Sequence, residues 1–173
     1  MSRTTKNIFL VGLMGAGKTT IGKRLAESMG KKFIDSDHEI EERTGVTIPT
    51  IFDIEGEEGF RNRESAIIDE LTQKKGVILA TGGGAILRPE NRKYLAARGM
   101  VIYLNASVEQ LYKRTRMDRN RPLLQTSNPK ERLQSLFEER DPLYREIADL
   151  VAETDDRSIQ QALPSLIEKI ENL

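Results

Sequence analysis

The sequence predicts an α/β protein: a doubly wound parallel sheet of five strands flanked by helices. Two observations carry the prediction. Short apolar runs alternate with longer stretches of helical period, the pattern of parallel strands joined by crossover helices. The first of those runs is apolar throughout rather than alternating, as expected of a strand covered on both faces. At 173 residues, with no internal repeat, low-complexity tract or linker, the chain suits one domain over 1–173.

In order, Ile8 to Val11 is the first strand and Lys18 to Met29 the first helix, with Ile21, Leu25 and Met29 at four-residue spacing and Gly30 as its stop. Phe33-Ile34 gives a short second strand that ends at Asp35-Ser36-Asp37. Helical segments follow over about 38–43 and from Pro49, a favoured first-turn residue, toward Gly56. A longer helix over about 58–74 buries Phe60, Ile67, Ile68 and Leu71. Residues 77–81 form the third strand, which empties into Gly82-Gly83-Gly84. Pro89 opens a helix closed by Gly99, and 100–104 is the fourth strand. Ser107, with Gln110 at the capping-box position, starts a helix through Val108, Leu111 and Tyr112. The stretch 117–129 is polar, turn-rich and basic, a surface loop, and 129–139 is helical again. Residues 149–154 are the fifth strand, Asp155-Asp156 a turn, and Ser158 the cap of a final helix ending near Asn172.

Composition removes several function classes. Twenty-seven Lys plus Arg balance twenty-seven Asp plus Glu, so no global basic excess draws the chain to nucleic acid or anionic lipid. Zero cysteines exclude disulfides, thiolate metal sites and cysteine nucleophiles, and fit a reducing compartment. No apolar run approaches the ~18 residues of a membrane span. Arg3 and Lys6 ahead of the apolar run 8–17 look like the start of a signal peptide, but no small-x-small cleavage site follows and Lys18 interrupts the run. The expectation is a cytoplasmic protein without nucleic-acid or membrane partners.

Gly12-Leu13-Met14-Gly15-Ala16-Gly17-Lys18-Thr19 matches G-x-x-x-x-G-K-[ST] between a buried strand and an amphipathic helix. Its glycines let several N–H groups point at one spot, the helix N-terminus adds its dipole, Lys18 reaches the β- and γ-phosphates, and the Thr19 hydroxyl can ligate Mg²⁺. Nucleotide binding follows. No Asn-Lys-x-Asp string is present for guanine, and Asp53-Ile54-Glu55-Gly56, a D-x-x-G string, falls in a helical stretch rather than after a strand. The strands at 77–81 and 100–104 do not end in the acid that a motor or transporter ATPase uses to hold its metal. Asp35 and Asp37 are the acids left after a strand. Spaced by two in extended chain they point the same way, Asp35 to orient a metal's water and Asp37 toward an acceptor, or else they merely cap the next helix. The Gly82-Gly83-Gly84 triplet either opens the sheet's mouth so that a ligand can touch the backbone or makes a tight turn.

Arginines supply the rest. Arg61 borders the core on its helix and Glu64 can pair with it, while Arg140 stands at a helix end before Asp141-Pro142-Leu143-Tyr144. Two arginines converging on one site clamp a carboxylate through forked hydrogen bonds. Arg114, Arg116, Arg119 and Arg121 crowd into or beside the polar loop, as in a lid that closes over a nucleotide, excludes water and neutralises charge. A nucleic-acid patch would need interleaved aromatics, which the cluster lacks. His38, the single histidine, opens a helix with no nucleophile arranged beside it, an ordinary solvent-facing place.

Together these motifs resemble the shikimate kinase family along nearly the whole chain. The phosphate loop is shared by many folds. The specific residues are Phe33-Ile34-Asp35-Ser36-Asp37, Phe60-Arg61-x-x-Glu64, Thr81-Gly82-Gly83-Gly84, Arg121-Pro122-Leu123 and Arg140-x-Pro142-x-Tyr144, in this order. The resemblance implies a P-loop kinase fold related to nucleoside monophosphate kinases, with a mobile lid over about 114–129 and a helical substrate-binding region over about 35–63. It implies ATP-dependent phosphorylation of the 3-hydroxyl of shikimate, toward chorismate and aromatic amino acids, by a monomer that uses one Mg²⁺ ion. Matched residue by residue, Asp37, Arg61, Gly83 and Arg140 contact shikimate, the arginines at its carboxylate and Asp37 at the ring hydroxyls. Gly15, Ala16, Gly17, Lys18, Thr19 and Thr20 form the ATP phosphate site, with Thr19 a Mg²⁺ ligand and Asp35 holding the ion through water. Lys18, Asp37 and Arg121 are the implied catalytic residues; Arg121 reaches the phosphates from the lid and Arg157 lies at the adenine loop. Thr19 stands where many members have Ser and keeps the needed hydroxyl. The rival readings are a kinase of gluconate or of a nucleoside monophosphate, and a non-catalytic module that senses ATP.

Overall fold

The computed structural model describes residues 5–117, 122–154 and 159–173. Arg3, Arg119, Arg121, Asp155, Asp156, Arg157 and Ser158 lie outside the described residues. Five parallel strands, β1 (Ile8–Val11), β2 (Lys32–Asp35), β3 (Val77–Ala80), β4 (Met100–Asn105) and β5 (Leu150–Glu153), align in the order β2-β3-β1-β4-β5. The central strands β1 and β3 are buried along their whole length, which is why their sequences are apolar without alternation. Around the sheet run α1 (Lys18–Met29), α2 (Ser36–Thr44), α3 (Ile48–Leu71), α4 (Pro89–Arg98), α5 (Val108–Thr115), α6 (Pro129–Ile147) and α7 (Ile159–Glu171). Short 3₁₀ turns occupy Gly83–Leu87 and Pro122–Leu124, the second inside the stretch expected to be loop. No helix among the described residues is long and apolar enough to cross a membrane.

Because β2, β3 and β1 are neighbours, the residues that follow them open on one mouth. Local signals fix most boundaries: Gly30 stops α1 with φ 64°, and the Ser107 hydroxyl accepts the Gln110 N–H at 3.2 Å to start α5. Three expectations need correction. β2 ends at Asp35 and α2 begins at Ser36, so Asp35 and Asp37 are not companions on one face of a strand. The Asp35 carboxylate accepts the N–H groups of Asp37 (3.0 Å) and His38 (3.2 Å), and this cap turns the chain into helix two residues early. The helical stretches on either side of Gly56 are one element, α3, broken at Gly56 (φ 73°, ψ 178°) and spliced by an ion pair from Arg63 to Glu55 at 2.8 Å. α3 also ends at Leu71 rather than near residue 74.

The third correction bears most on the site. α6 runs through Pro142 to Ile147, so Arg140 lies inside a helix and not at its end. A proline removes one N–H from the ladder, normally at a cost of ~3 kcal/mol. The stripe Leu133, Leu136, Arg140 and Tyr144, all buried on one face, outweighs it.

Gly99, between α4 and β4, has extended backbone that any residue adopts (φ −174°), yet an added Cβ would lie 2.6 Å from the buried Phe9 ring and 2.8 Å from the Asn7 carbonyl oxygen. Gly99→Ala is expected to cost about 1–3 kcal/mol of stability through overpacking, read as a lowered urea midpoint at unchanged slope.

Candidate active site

The loop after β1 curls because Gly12, Gly15 and Gly17 take positive φ (148°, 87° and 99°). Space demands glycine as well: a Cβ on Gly12 would stand 2.5 Å from the Leu104 carbonyl oxygen, and one on Gly15 2.8 Å from the Thr115 methyl. Lys18 Nζ donates back across the loop to the carbonyls of Gly12 (2.5 Å) and Leu13 (3.0 Å), which holds its charge over the concavity. The Thr19 hydroxyl donates to Asp35 Oδ2 at 2.8 Å, while Asp35 Oδ1 takes the α2 cap. Asp35 thus caps α2 with one oxygen and meets the Thr19 hydroxyl beside the phosphate loop with the other.

Arg114 is not a loose lid residue. It sits on α5 and donates to the carbonyls of Gly15 (2.9 Å) and Thr154 (2.6 Å), tying the phosphate loop to the end of β5. Thr154 reinforces this seam by donating from Oγ1 to the Ala16 carbonyl at 3.2 Å. No local signal marks either residue for that place. Their partners are 99 and 138 positions away in sequence, and only the packing of α5 and β5 on the loop brings them in.

The far end of the same mouth is a buried charge cluster. Arg61, Glu64 and Arg140 are the charged side chains buried among the described residues, at 8%, 1% and 2% exposure. Arg61 Nη1 donates to Glu64 Oε1 at 2.8 Å, its Nη2 lies 3.4 Å from Glu57, and its guanidinium is 5.2 Å from the Phe60 ring centroid. Arg140 Nε and Nη1, Arg61 Nε and Glu64 Oε2 are buried with no hydrogen-bond partner among the described residues. Buried donors of this kind want an acceptor, and two guanidiniums beside one carboxylate want an anion. The glycine triplet belongs to this cluster. A Cβ on Gly84 would strike the Arg61 guanidinium, and one on Gly82 would lie 2.6 Å from Asp37 Oδ1 and 2.8 Å from Glu64 Oε2. Gly82 and Gly84 make room for charged side chains rather than for a ligand. Gly83 alone faces looser surroundings, its nearest neighbour for a Cβ being Arg140 Nη1 at 3.5 Å.

A cavity of ≈ 700 Å³ joins the two ends. Its wall includes Gly15, Ala16, Gly17, Lys18, Thr19, Thr20, Asp35, Asp37, Arg61, Gly83 and Arg140, so every described site residue expected from the sequence comes together. Arg121 and Arg157 lie outside the described residues. Glu64, foreseen as a partner of Arg61, proves to be a cavity residue itself, as does Arg114, and Ile48, Phe52 and Phe60 supply an apolar wall from α3. His38 touches the rim with its side chain 75% exposed and Glu42 at 3.9 Å, in keeping with a solvent-facing role.

A model of the shikimate kinase family matches residues 14–171. A shikimate kinase of Chromobacterium violaceum is 56% identical over 170 residues, which are 98% of this chain and 92% of that protein. One of Aromatoleum aromaticum is 62% identical over 146 residues, 84% and 83% of the two chains. The solved structure of a shikimate kinase from Acinetobacter baumannii in complex with shikimate superposes with a TM-score of 0.95 at 51% identity, covering 98% of this chain and 95% of that one. A gluconokinase from Sinorhizobium meliloti, at TM-score 0.64 and 19% identity over 99% and 94% of the chains, shares the fold.

Burial pushes the Glu64 carboxyl above the ordinary carboxylate range against the pull of Arg61, Arg140 and Arg88. An acid raised in this way binds its proton more readily folded than unfolded. Its contribution to stability is therefore fully present below the unfolded value of about 4.3 and is lost as pH rises through the folded value. Glu64→Gln removes that dependence. The stability of the native chain minus that of Glu64→Gln, from urea unfolding at a series of pH values, is expected to fall by up to about 1.4 kcal/mol per pH unit within this window. A difference that rises with pH contradicts the assignment.

Proposed function

The chain belongs to the shikimate kinase family, and on that premise we propose that it transfers the γ-phosphoryl group of ATP to the 3-hydroxyl of shikimate, the step that leads toward chorismate and the aromatic amino acids. The observation that supports this most directly is the pair of buried guanidiniums with unpartnered donors at one end of a cavity whose other end is a phosphate loop. A planar carboxylate fits the forked donors of Arg61 and Arg140, and a triphosphate tail fits the backbone amides and ammonium at residues 15–20. The reactants then meet inside one walled space, and their orientation is fixed before reaction.

Each residue has a chemical task in this reading. Lys18, already drawn over the loop by two carbonyls, neutralises charge on the transferred group. Asp37 either orients the acceptor hydroxyl or takes its proton as the new P–O bond forms and the bond to the ADP oxygen breaks. Gly83 offers backbone to the acceptor. Arg121 and Arg157, outside the described residues, are proposed for the lid's reach to the phosphates and for the adenine side. No cluster of three or more metal-ligating side chains exists among the described residues, but Thr19 Oγ1 and Asp35 Oδ2 are adjacent oxygens beside the phosphate loop. That donor set fits one hard cation which takes its remaining ligands from phosphate and water, Thr19 holding it directly and Asp35 through water. Bound there, Mg²⁺ supplies electrostatic stabilisation of phosphate charge. A monomer is the proposed active unit, working in the cytoplasm as a single domain with an acceptor region over about 35–63 and a lid over about 114–129, whose first residues, Arg114 and Thr115, belong to α5.

The test is ADP release with ATP, Mg²⁺ and shikimate, against gluconate, a nucleoside monophosphate and no acceptor. Turnover with shikimate alone is expected, and turnover with gluconate but not shikimate overturns the reading. Lys18→Ala should abolish turnover. Arg140→Met keeps the aliphatic bulk and deletes the guanidinium. It is expected to weaken shikimate binding about ten- to a hundredfold, the worth of a charge-assisted hydrogen bond, and to leave ATP affinity unchanged by calorimetry.

A further inference from the structure

Resting on the reading of the cavity as a shikimate site, we propose that Tyr144 is a positioning residue, whose phenol fixes the Gly83 carbonyl so that the Gly83 backbone and the Arg140 guanidinium meet the acceptor as one rigid unit. Tyr144 OH donates to Gly83 O at 2.5 Å across 61 residues of sequence. Tyr144 is 1% exposed, so losing the hydroxyl removes a bond that the packed ring cannot make in any other way. It stands one helical turn after Arg140 on α6, and the two side chains leave the helix on the same face. Gly83 in turn lies where the ends of the cavity meet: its Cβ position is 3.5 Å from Arg140 Nη1 and 3.6 Å from both Gly12 O and Met14 N. A shift of Gly83 is thus a shift of the acceptor end relative to the phosphate loop.

The phenol is itself held. Its ring packs on Tyr103 with centroids 4.9 Å apart, and Tyr103 OH donates to Asp141 at 2.7 Å, an α6 carboxylate that Arg145 also binds at 3.1 Å. Burial keeps the Tyr144 phenol protonated well above its ordinary range, so its proton stays available to the carbonyl. The rest of the 3₁₀ turn is anchored from the other side. Asn91 donates to Ala85 O at 2.9 Å, and Arg92 donates to Ile86 O (2.9 Å) and Leu87 O (3.1 Å), both from α4. Gly83 is the member of the turn fastened to the helix that carries the acceptor arginine, and Tyr144 is the fastener.

Tyr144→Phe deletes the hydroxyl and keeps the ring. Tyr103→Phe is the comparison: it also deletes the hydroxyl of a buried tyrosine but leaves the Gly83 bond intact. Amide hydrogen exchange over residues 82–87 in the ligand-free protein is expected to accelerate in Tyr144→Phe and not in Tyr103→Phe. Steady-state kinetics are expected to show KM for shikimate raised about three- to tenfold in Tyr144→Phe, the scale of one neutral hydrogen bond, with KM for ATP unchanged. Tyr103→Phe is expected to lower the melting temperature and leave KM for shikimate alone. Unchanged exchange in Tyr144→Phe overturns the proposal whatever the acceptor proves to be. So does an equal rise of KM for shikimate in both variants, or equal rises of both KM values in Tyr144→Phe. A native enzyme that fails on shikimate while Tyr144→Phe still accelerates exchange overturns the acceptor assignment alone and leaves Tyr144 as the fastener of Gly83.

Discussion

Two guanidiniums and one carboxylate are buried together under the carboxyl ends of β2 and β3, and the rest of the site is arranged around that imbalance. Taking an ion out of water costs several kcal/mol unless partners replace its hydration. Glu64 provides such a partner for one face of Arg61 only. Arg140 keeps Nε and Nη1 unpartnered among the described residues. The fold tolerates this because α3 and α6 are packed into the main core by Phe60, Ile67 and Ile68 on one side and Leu133 and Leu136 on the other. The cost is carried by the apolar faces these helices bury, and an anionic ligand of the kind proposed would supply the missing partners.

The constraint reaches into the backbone. Gly82 and Gly84 lack side chains because the charged groups of Arg61, Glu64 and Asp37 fill the places where a Cβ would go. The buried Ser36 hydroxyl accepts the Gly82 N–H at 3.1 Å, and Thr81 donates both its N–H and its hydroxyl to the Leu10 carbonyl, so the triplet is tied to α2 and to β1. The acceptor end is therefore as preorganised as the phosphate loop. That loop is stiffened by Lys18 from within and by Arg114 and Thr154 from across the sheet. Catalysis by positioning depends on stiffness at both ends.

Much of this was legible in the residues. The strands, the phosphate loop, the Gly30 stop and the Ser107 cap depend on spacings of one to four residues, and the structure has them where the sequence puts them. Arg61 with Glu64 was legible for the same reason, as an i, i+3 pair on a helix. Asp35 and Asp37 were found by their place after a strand, but the geometry expected of them was wrong. Strand alternation would have aligned them, whereas Asp35 ends β2 and caps the helix that carries Asp37, because a carboxylate with two free N–H groups ahead of it favours a helical turn. Pro142 misled in the opposite direction. Its local penalty is real, and the buried stripe of Leu133, Leu136, Arg140 and Tyr144 outweighs it.

By itself the sequence determined which segments become strands and helices, that the loop after β1 must curl, and which residue types stand ready for phosphate and carboxylate. It did so because backbone preference, capping and period act within a turn or two of chain. Only the tertiary structure decided that Tyr144 meets Gly83, that Arg114 closes on Gly15 and Thr154, and that the triplet's outer glycines yield space to charged side chains. Those contacts join residues tens of positions apart, and the order β2-β3-β1-β4-β5, through which helix lands on which strand, selects them.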